Sequence, residues 1–215
     1  MSAAFARHLL LGLGLFLAAA GMTACGSKSE PMGDDEAAQS VVLGVSQLPS
    51  GSKPSKKPLV SERCSPVSYF RDYAKAVVAS PGFILPEGEL LQQVGIFKNE
   101  GDARRAFDAV TAKAAWRCVG REAQRVAKEF TGREGELALK RVSRKLPNVE
   151  ARGLNMRLVL RLGSVEVERT AILDGRVLTT VTLISQNQPL NPSYSPSISR
   201  AAARSLTETL ASIEL

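Results

Sequence analysis

The stretch 154–185 restricts the possible folds of this chain more than any other part of the sequence. Every second side chain over 154–162 is apolar, and a period of two is typical of a β-strand with one buried face. A Gly-Ser pair at 163–164 predicts a two-residue turn, and an Asp-Gly pair at 174–175 predicts a hairpin. We therefore expect three antiparallel strands joined as a meander.

The rest of the pattern adds helices to this sheet. The expected fold class is α+β, an antiparallel β-sheet with a C-terminal three-strand meander packed against helices. The segment 121–130 fits either a strand or a helix. The first of the other predicted helices has Tyr69, Tyr73, Ala76 and Val77 on one face and ends at Pro81 and Gly82, and a strand over 90–98 follows it. The next helix is capped by Asp102, stops at Gly120 and carries on one stripe Ala103, Phe107, Val110, Ala114 and Cys118. A strand over 136–146 precedes the meander, and a last helix capped by Ser195 follows it, with an apolar stripe of Ile198, Ala202, Leu206, Thr209 or Leu210, and Ile213.

Residues 1–24 have the layout of a secretory signal peptide, with Arg7 near the start, an apolar run over 9–20 and small residues at the end. The run is shorter than the roughly 20 apolar residues of a membrane span. Residues 22–25 read Met-Thr-Ala-Cys and resemble a bacterial lipobox, which predicts a lipid such as palmitate on Cys25. Cleavage by an ordinary signal peptidase and an uncleaved anchor are the alternatives.

Composition divides the rest of the chain into two parts. Gly, Ser, Pro and Lys dominate residues 25–63, which predicts a flexible tether. Residues 64–215 are long enough for one extracytoplasmic domain with its own core. Two cysteines fall in this domain, Cys64 and Cys118, and an even number in an exported domain predicts a disulfide between them. Two free thiols are the alternative.

Residues 94–118, "VGIFKNEGDARRAFDAVTAKAAWRC", combine a strand, a helix with Ala near its start and a Trp-x-Cys near its end. This block, the sheet after it and the closing helix over 199–213 resemble the extracellular sensor-domain family of mycobacterial PknH-type kinases, which also occurs in stand-alone actinobacterial lipoproteins. The resemblance implies ligand sensing or binding outside the membrane, without a kinase part. Members of that family commonly have two disulfides around a cleft, whereas this chain has cysteines for one.

Few catalytic arrangements are open to this sequence. The one histidine, His8, lies in the predicted signal peptide, so histidine-dependent triads and zinc sites are excluded from the mature chain. Glu166 and Glu168 point to one face of a strand, and Glu134 and Glu136 have the same spacing. Paired carboxylates could serve as acid and base on a glycan, but such a strand usually presents its polar face to water. We predict no catalytic residue, no metal site and no cofactor.

The basic net charge favours anionic partners. The formal net charge is +7, which suits an anionic lipid, a cell-wall polymer or solubility alone, and outside the membrane it does not indicate nucleic acid. Arg157 and Arg161 share one strand face, and the polar loop before the last helix holds Tyr194. We expect these three residues to flank a ligand-binding surface. Trp116 could stack on a ligand, although packing over the disulfide is the favoured interpretation.

The leading hypothesis is a non-catalytic domain, lipid-anchored to the outer face of the cell membrane, that binds a ligand, a wall component or an envelope protein. An envelope glycan hydrolase using Glu or Asp is the alternative enzyme. An assembly-accessory lipoprotein is the alternative without a ligand.

Overall fold

The computed structural model describes residues 32–55, 70, 73–132, 135–161 and 163–213. In this part of the chain the fold is α+β, as expected. The helices are α1 (Asp34–Val41), α2 (Glu100–Thr111), α3 (Lys113–Thr131) and α4 (Tyr194–Ile213), with one short 3₁₀ turn at Val45–Gln47. The strands are β1 (Lys53–Pro54), β2 (Ala74–Ala79), β3 (Phe83–Leu85), β4 (Gly88–Phe97), β5 (Glu136–Ser143), β6 (Glu150–Leu160), β7 (Gly163–Asp174) and β8 (Val177–Gln186).

The eight strands form one antiparallel sheet in the order β1-β3-β4-β8-β7-β6-β5, with β2 paired to β4. The predicted meander is confirmed as β6, β7 and β8, which pair in sequence order. Asp174 pairs with Val177 across the second turn, where Gly175 has a φ of 50°. A left-handed backbone of this kind is easiest for glycine, which is why the Asp-Gly signal marked the turn correctly.

Helices cover both faces of the sheet. We call the face under α2 and α3 the helix-pair face, and the face under α1 and α4 the terminal face. The buried apolar residues on the helix-pair face include Phe97, Ala106, Phe107, Leu178, Trp116, Met156 and Val167. Those on the terminal face include Ala38, Val41, Leu90, Val94, Ile172, Val181, Ile198 and Leu206. Side chains alternate between faces along a strand, so each strand contributes to both cores.

Part of the predicted tether is wrong. Within the described range 32–55, the chain forms α1, and Ala37, Ala38 and Val41 are fully buried. The buried amide of Gln92 accepts a hydrogen bond from the Leu43 amide at 2.7 Å and donates to the Val41 carbonyl at 3.1 Å. The polar composition around this short apolar stretch concealed an element that packs against both β4 and α4.

The helix predicted after Cys64 is wrong in its second half, because Ala74–Ala79 is strand β2 and pairs with β4, whereas Phe70 is helical. A short run of Ala and Val suits either structure, and pairing with β4 decides it. Tyr69 and Cys64 lie outside the described residues.

The predicted helix from Asp102 to Cys118 is instead two helices that meet at Ala112, whose ψ of 149° interrupts the first. Asn99, rather than Asp102, caps α2 by accepting a hydrogen bond from the Asp102 amide at 2.9 Å. Gly120 does not stop α3, which continues through 121–130 and ends before Gly132 at φ 72°. A Cβ on Gly120 would lie 2.7 Å from Leu137, so glycine at this position lets α3 approach β5 closely.

The last helix begins at Tyr194, one residue before the predicted cap. Its predicted stripe is buried at Ile198, Ala202, Leu206 and Leu210. No helix in the described ranges is long and apolar enough to cross a membrane.

Candidate functional site

A cleft of about 480 Å³ opens on the helix-pair face, between the α2–α3 junction and strands β5, β6 and β7. Its lining residues are Val110, Thr111, Trp116, Arg141, Val142, Ser143, Arg144, Ala151, Arg152, Gly153, Leu154, Arg169 and Ala171. None of these is an aspartate or a glutamate. The volume lies in the range of small-molecule sites. Two other clefts, of about 450 and 430 Å³, are similar in size but are lined in part by carboxylates, so this cleft is the one best suited to hold an anion.

Three arginines on neighbouring strands point to this cleft. Arg141 on β5 and Arg169 on β7 both pair with Leu154 on β6, and residues paired across strands point to the same face. Arg152, two positions before Leu154 on the same strand, therefore shares that face. We call Arg141, Arg152 and Arg169 the arginine triad.

Arg169 is the buried member of the triad, with 5% of its surface exposed. Its Nε donates to the Thr182 hydroxyl at 3.1 Å, and its guanidinium lies 5.3 Å from the centre of the Trp116 ring. Trp116 is itself 3% exposed and packs with Met156 and Val167. The indole therefore supports Arg169 and the core, and it does not offer an open ring face for a ligand to stack on.

Arg152 lies at the rim. Its guanidinium pairs with Asp108 and with Glu150, each at 2.8 Å, and stacks over the Phe107 ring at 4.6 Å. The pKa of Glu150 is lowered, chiefly by the hydrogen bond from Arg104, with a smaller contribution from Arg152, and partial burial opposes this effect. The carboxylates thus fix the position of Arg152 while leaving its side chain 47% exposed.

Arg141 is the accessible member. It is exposed on β5, and it makes no hydrogen bond or ion pair with any residue that the structure describes. The triad therefore combines a buried cation, a rim cation fixed by two carboxylates and one cation that can bind an incoming anion.

Glu166 and Glu168 share the opposite, terminal face, as their spacing predicted, but they do not face open water. Glu168 is 8% exposed and accepts hydrogen bonds from Arg144 and from the Ser195 hydroxyl. Glu166 accepts from the Asn155 amide at 2.6 Å and from the Leu190 backbone amide at 3.0 Å. The expectation of a solvated polar strand face was wrong, because the loop before α4 and its first turn fold back over these carboxylates.

The predicted surface of Arg157, Arg161 and Tyr194 is assembled only in part. Arg157 is exposed on the terminal face opposite Glu166, whereas Arg161 lies in the turn beyond β6 and not on the strand. Tyr194 is half-buried against the core of the terminal face. Its loop approaches Arg157 through Glu166, which also binds Leu190.

Other predicted sites lie partly outside the described residues. Cys25, Cys64 and Glu134 lie outside the described residues, so the lipid anchor and the disulfide stay predictions. Cys118 is half-buried on α3, and Glu136 is exposed on β5. Among the described side chains, no group of three or more His, Cys, Asp or Glu could hold a metal ion.

The triad could have been suspected from the strand pattern. Arg169 stands between Val167 and Ala171, at a position where alternation calls for a buried apolar side chain. An arginine at such a position indicates either a buried ion pair or a polar cleft. The partners on β5 and β6 could not be assigned without the register of the sheet.

Comparison with known proteins supports the fold. No protein-family model matches the sequence, and no curated protein matches it. A protein of unknown function from Pseudomonas aeruginosa, PA94, shares 16% identity over 59% of this chain and 78% of that chain, but its TM-score of 0.28 is too low for argument. The crystal structure of the extracellular domain of PknH from Mycobacterium tuberculosis superposes with a TM-score of 0.55, at 15% identity, over 85% of this chain and 98% of that chain. The chain therefore has a fold similar to that of the PknH extracellular domain.

Proposed function

We propose that this protein is a non-catalytic, sensor-like domain, lipid-anchored outside the cell membrane, that binds an anionic ligand in the cleft of the arginine triad. The observation that carries the proposal is that four arginines and no carboxylate line the cleft, and that three of the arginines, the triad, stand on adjacent strands. A site of this composition attracts anions and repels cations.

The chemistry of the triad favours a phosphate or a carboxylate. A guanidinium offers a planar fork of donors that matches either group in a two-pronged way. Arg141 has no partner within the described part of the chain and can supply such a fork, while the fixed Arg152 and the buried Arg169 add positive potential. Apolar atoms of Val110, Leu154 and Ala171 line the same cleft and suit a non-polar part of the ligand.

A binding role has more support than the glycan hydrolase. The two adjacent carboxylates that could act as acid and base, Glu166 and Glu168, each accept hydrogen bonds from protein groups. They lie on the face opposite the cleft. A general acid or base needs a proton-transfer path to substrate, whereas protein groups bind both oxygens of Glu166 and Oε1 of the buried Glu168.

The proposed location rests on two features. Residues 1–25 have the order of a signal peptide followed by a lipobox cysteine, and a diacyl anchor binds a membrane stably. The similar fold belongs to an extracellular domain in PknH, which agrees with a place outside the membrane. An assembly-accessory lipoprotein would share this location, but the cleft around Arg141, which has no partner among the described residues, supports the binding of a ligand.

Binding of anionic probes tests the proposal, with two arginine variants as a matched pair. Arg141→Ala removes the accessible cation of the cleft, and Arg157→Ala removes an exposed arginine from the opposite face. Inorganic phosphate, glucuronate, a sugar phosphate, phosphatidylglycerol vesicles and isolated wall polymer separate the sources of the anion. Thermal shift detects binding because a ligand stabilises the state that it binds.

We expect Arg141→Ala to weaken binding about tenfold or more, as one lost charge-assisted hydrogen bond does, while Arg157→Ala binds like the wild type. The reverse pattern would transfer the site to the surface of Arg157, Arg161 and Tyr194. Equal binding by all three proteins would refute both sites.

A further inference from the structure

Strand β5 is an edge of the sheet with an unusual combination of length and composition. It spans eight residues, Glu136–Ser143, and among the described strands it pairs with β6 alone. No described strand covers its other side, and a row of unpaired backbone donors and acceptors is a template for another strand. Leu139, 40% exposed, is among the few large apolar side chains on the surface.

The side chains of β5 are complementary to a second copy of the same strand. An antiparallel pair related by a two-fold axis must place one residue opposite its own counterpart. If that residue is Ala138, Glu136 lies opposite the partner subunit's Lys140, and Leu137 lies opposite the partner subunit's Leu139. Each relation occurs twice across the axis, so this register forms two ion pairs and two apolar pairs.

Neighbouring registers lack this match. Centring the pair on Lys140 opposes two like charges, and centring it on Leu139 pairs Lys140 with the partner subunit's Ala138. Like charges directly opposite each other destabilise a strand pair, and opposite charges stabilise it. Neither Glu136 nor Lys140 makes an ion pair with a residue in the described ranges, so both are available.

Packing also favours the Ala138 register. Leu137 is partly buried against the apolar cluster that contains Trp116 and Met156, and Leu139 pairs with Met156 on the same face of the sheet. A partner strand would therefore extend this cluster across the new seam. Arg141 would lie opposite the partner subunit's Gly135, which has no side chain to obstruct the cleft.

We propose that two copies of the protein associate through their β5 strands, antiparallel and centred on Ala138, into one continuous sheet. The two clefts of the arginine triad then open on the same face, on either side of the two-fold axis. This inference goes beyond ligand binding and does not depend on it, because the ion pairs and apolar pairs that set the register involve no residue of the triad.

Charge exchange within one chain tests the interface. Sedimentation of the purified full chain in detergent, from about 1 µM to about 1 mM, should give a monomer–dimer equilibrium. Lys140→Glu and Glu136→Lys should each raise the dimer dissociation constant about tenfold, because both symmetric ion pairs become repulsive. The double variant Glu136→Lys with Lys140→Glu should restore the wild-type value, since it regenerates both pairs with reversed sign.

Arg204→Glu on α4 is the matched control, because it makes the same charge change at an exposed position away from β5 and should leave the equilibrium unchanged. Ala138→Cys should also form an intersubunit disulfide under mild oxidation, as opposite residues have the required spacing, whereas Ser143→Cys should not. A monomer throughout the concentration range would overturn the proposal. So would a dimer that tolerates each single charge reversal, since its interface would lie elsewhere.

Discussion

Three arginines of one cleft show how environment assigns different tasks to one residue type. Arg169 is buried, Arg152 is fixed by Asp108 and Glu150, and Arg141 is exposed. Removing a buried charge from water is costly unless groups around it replace the lost hydration, and at Arg169 the Thr182 hydroxyl and the Trp116 ring contribute to this. Only an arginine that lacks such partners can give its donors to a ligand.

The stability of the fold at acidic pH should depend on Glu150, which lies at this rim. Its pKa is lowered below the ordinary 4.5, so its ion pairs stabilise the fold above that pH, and this contribution disappears as pH falls through the depressed pKa. Urea unfolding should therefore show Glu150→Gln to be less stable than wild type at neutral pH, with the difference closing as the pH falls below 4.5.

Glu89 serves as a control, because its pKa is shifted in the opposite direction. Burial raises its pKa above 4.5, so its ionised form disfavours the fold as pH rises. The Glu89→Gln variant should be at least as stable as wild type at neutral pH, with the difference closing on acidification. The same sign of pH dependence for both variants would contradict these assignments.

At the scale of elements, the sequence pattern correctly predicted those strands and helices that nearby residues determine. The meander β6–β8 and the stripe of α4 followed from alternation, the Asp-Gly turn and helical spacing. The α2–α3 break at Ala112 has no glycine or proline to signal it, and it arises because each helix packs on a different cluster of the sheet. The cleft depends on that break and on sheet register, so no single stretch of sequence could predict it.

Helix α1, which the sequence analysis assigned to the tether, can be tested by truncation. A variant that begins at residue 64, the predicted domain boundary, loses Ala37, Ala38 and Val41 from the core and leaves the Gln92 amide without Leu43. We expect a loss of stability on the order of 5 kcal/mol and a midpoint roughly 10–20 °C lower. Calorimetry against a matched variant that begins at residue 32 measures the effect. Equal midpoints would return this segment to the role of a tether.

For the molecule as a whole, the proposed anchor determines where the cleft can meet its ligand. A lipid on Cys25 would hold the domain at the membrane surface, whereas an unmodified chain would diffuse freely. The lipobox therefore predicts where the entire protein is located, which no contact within the fold determines.

Fractionation of cells tests this anchor. Cys25→Ser should move the protein from the membrane to the soluble fraction or block its processing, because the diacyl attachment is lost. Ser27→Ala, two residues away, should remain with the membrane. Membrane association and processed mass that are unchanged in Cys25→Ser would exclude lipidation.

The contact between the first and last helices also governs the timing of folding. Ser40 on α1 and Thr209 on α4 share a hydrogen bond of 2.8 Å, and both helices belong to the core of the terminal face. A chain that is synthesised, or passed through a membrane, from its N-terminus cannot complete this core until the twenty residues of α4 have emerged. Such long-range closure is slow, so a chain exported as its predicted signal peptide implies would stay without its native core until α4 had crossed the membrane.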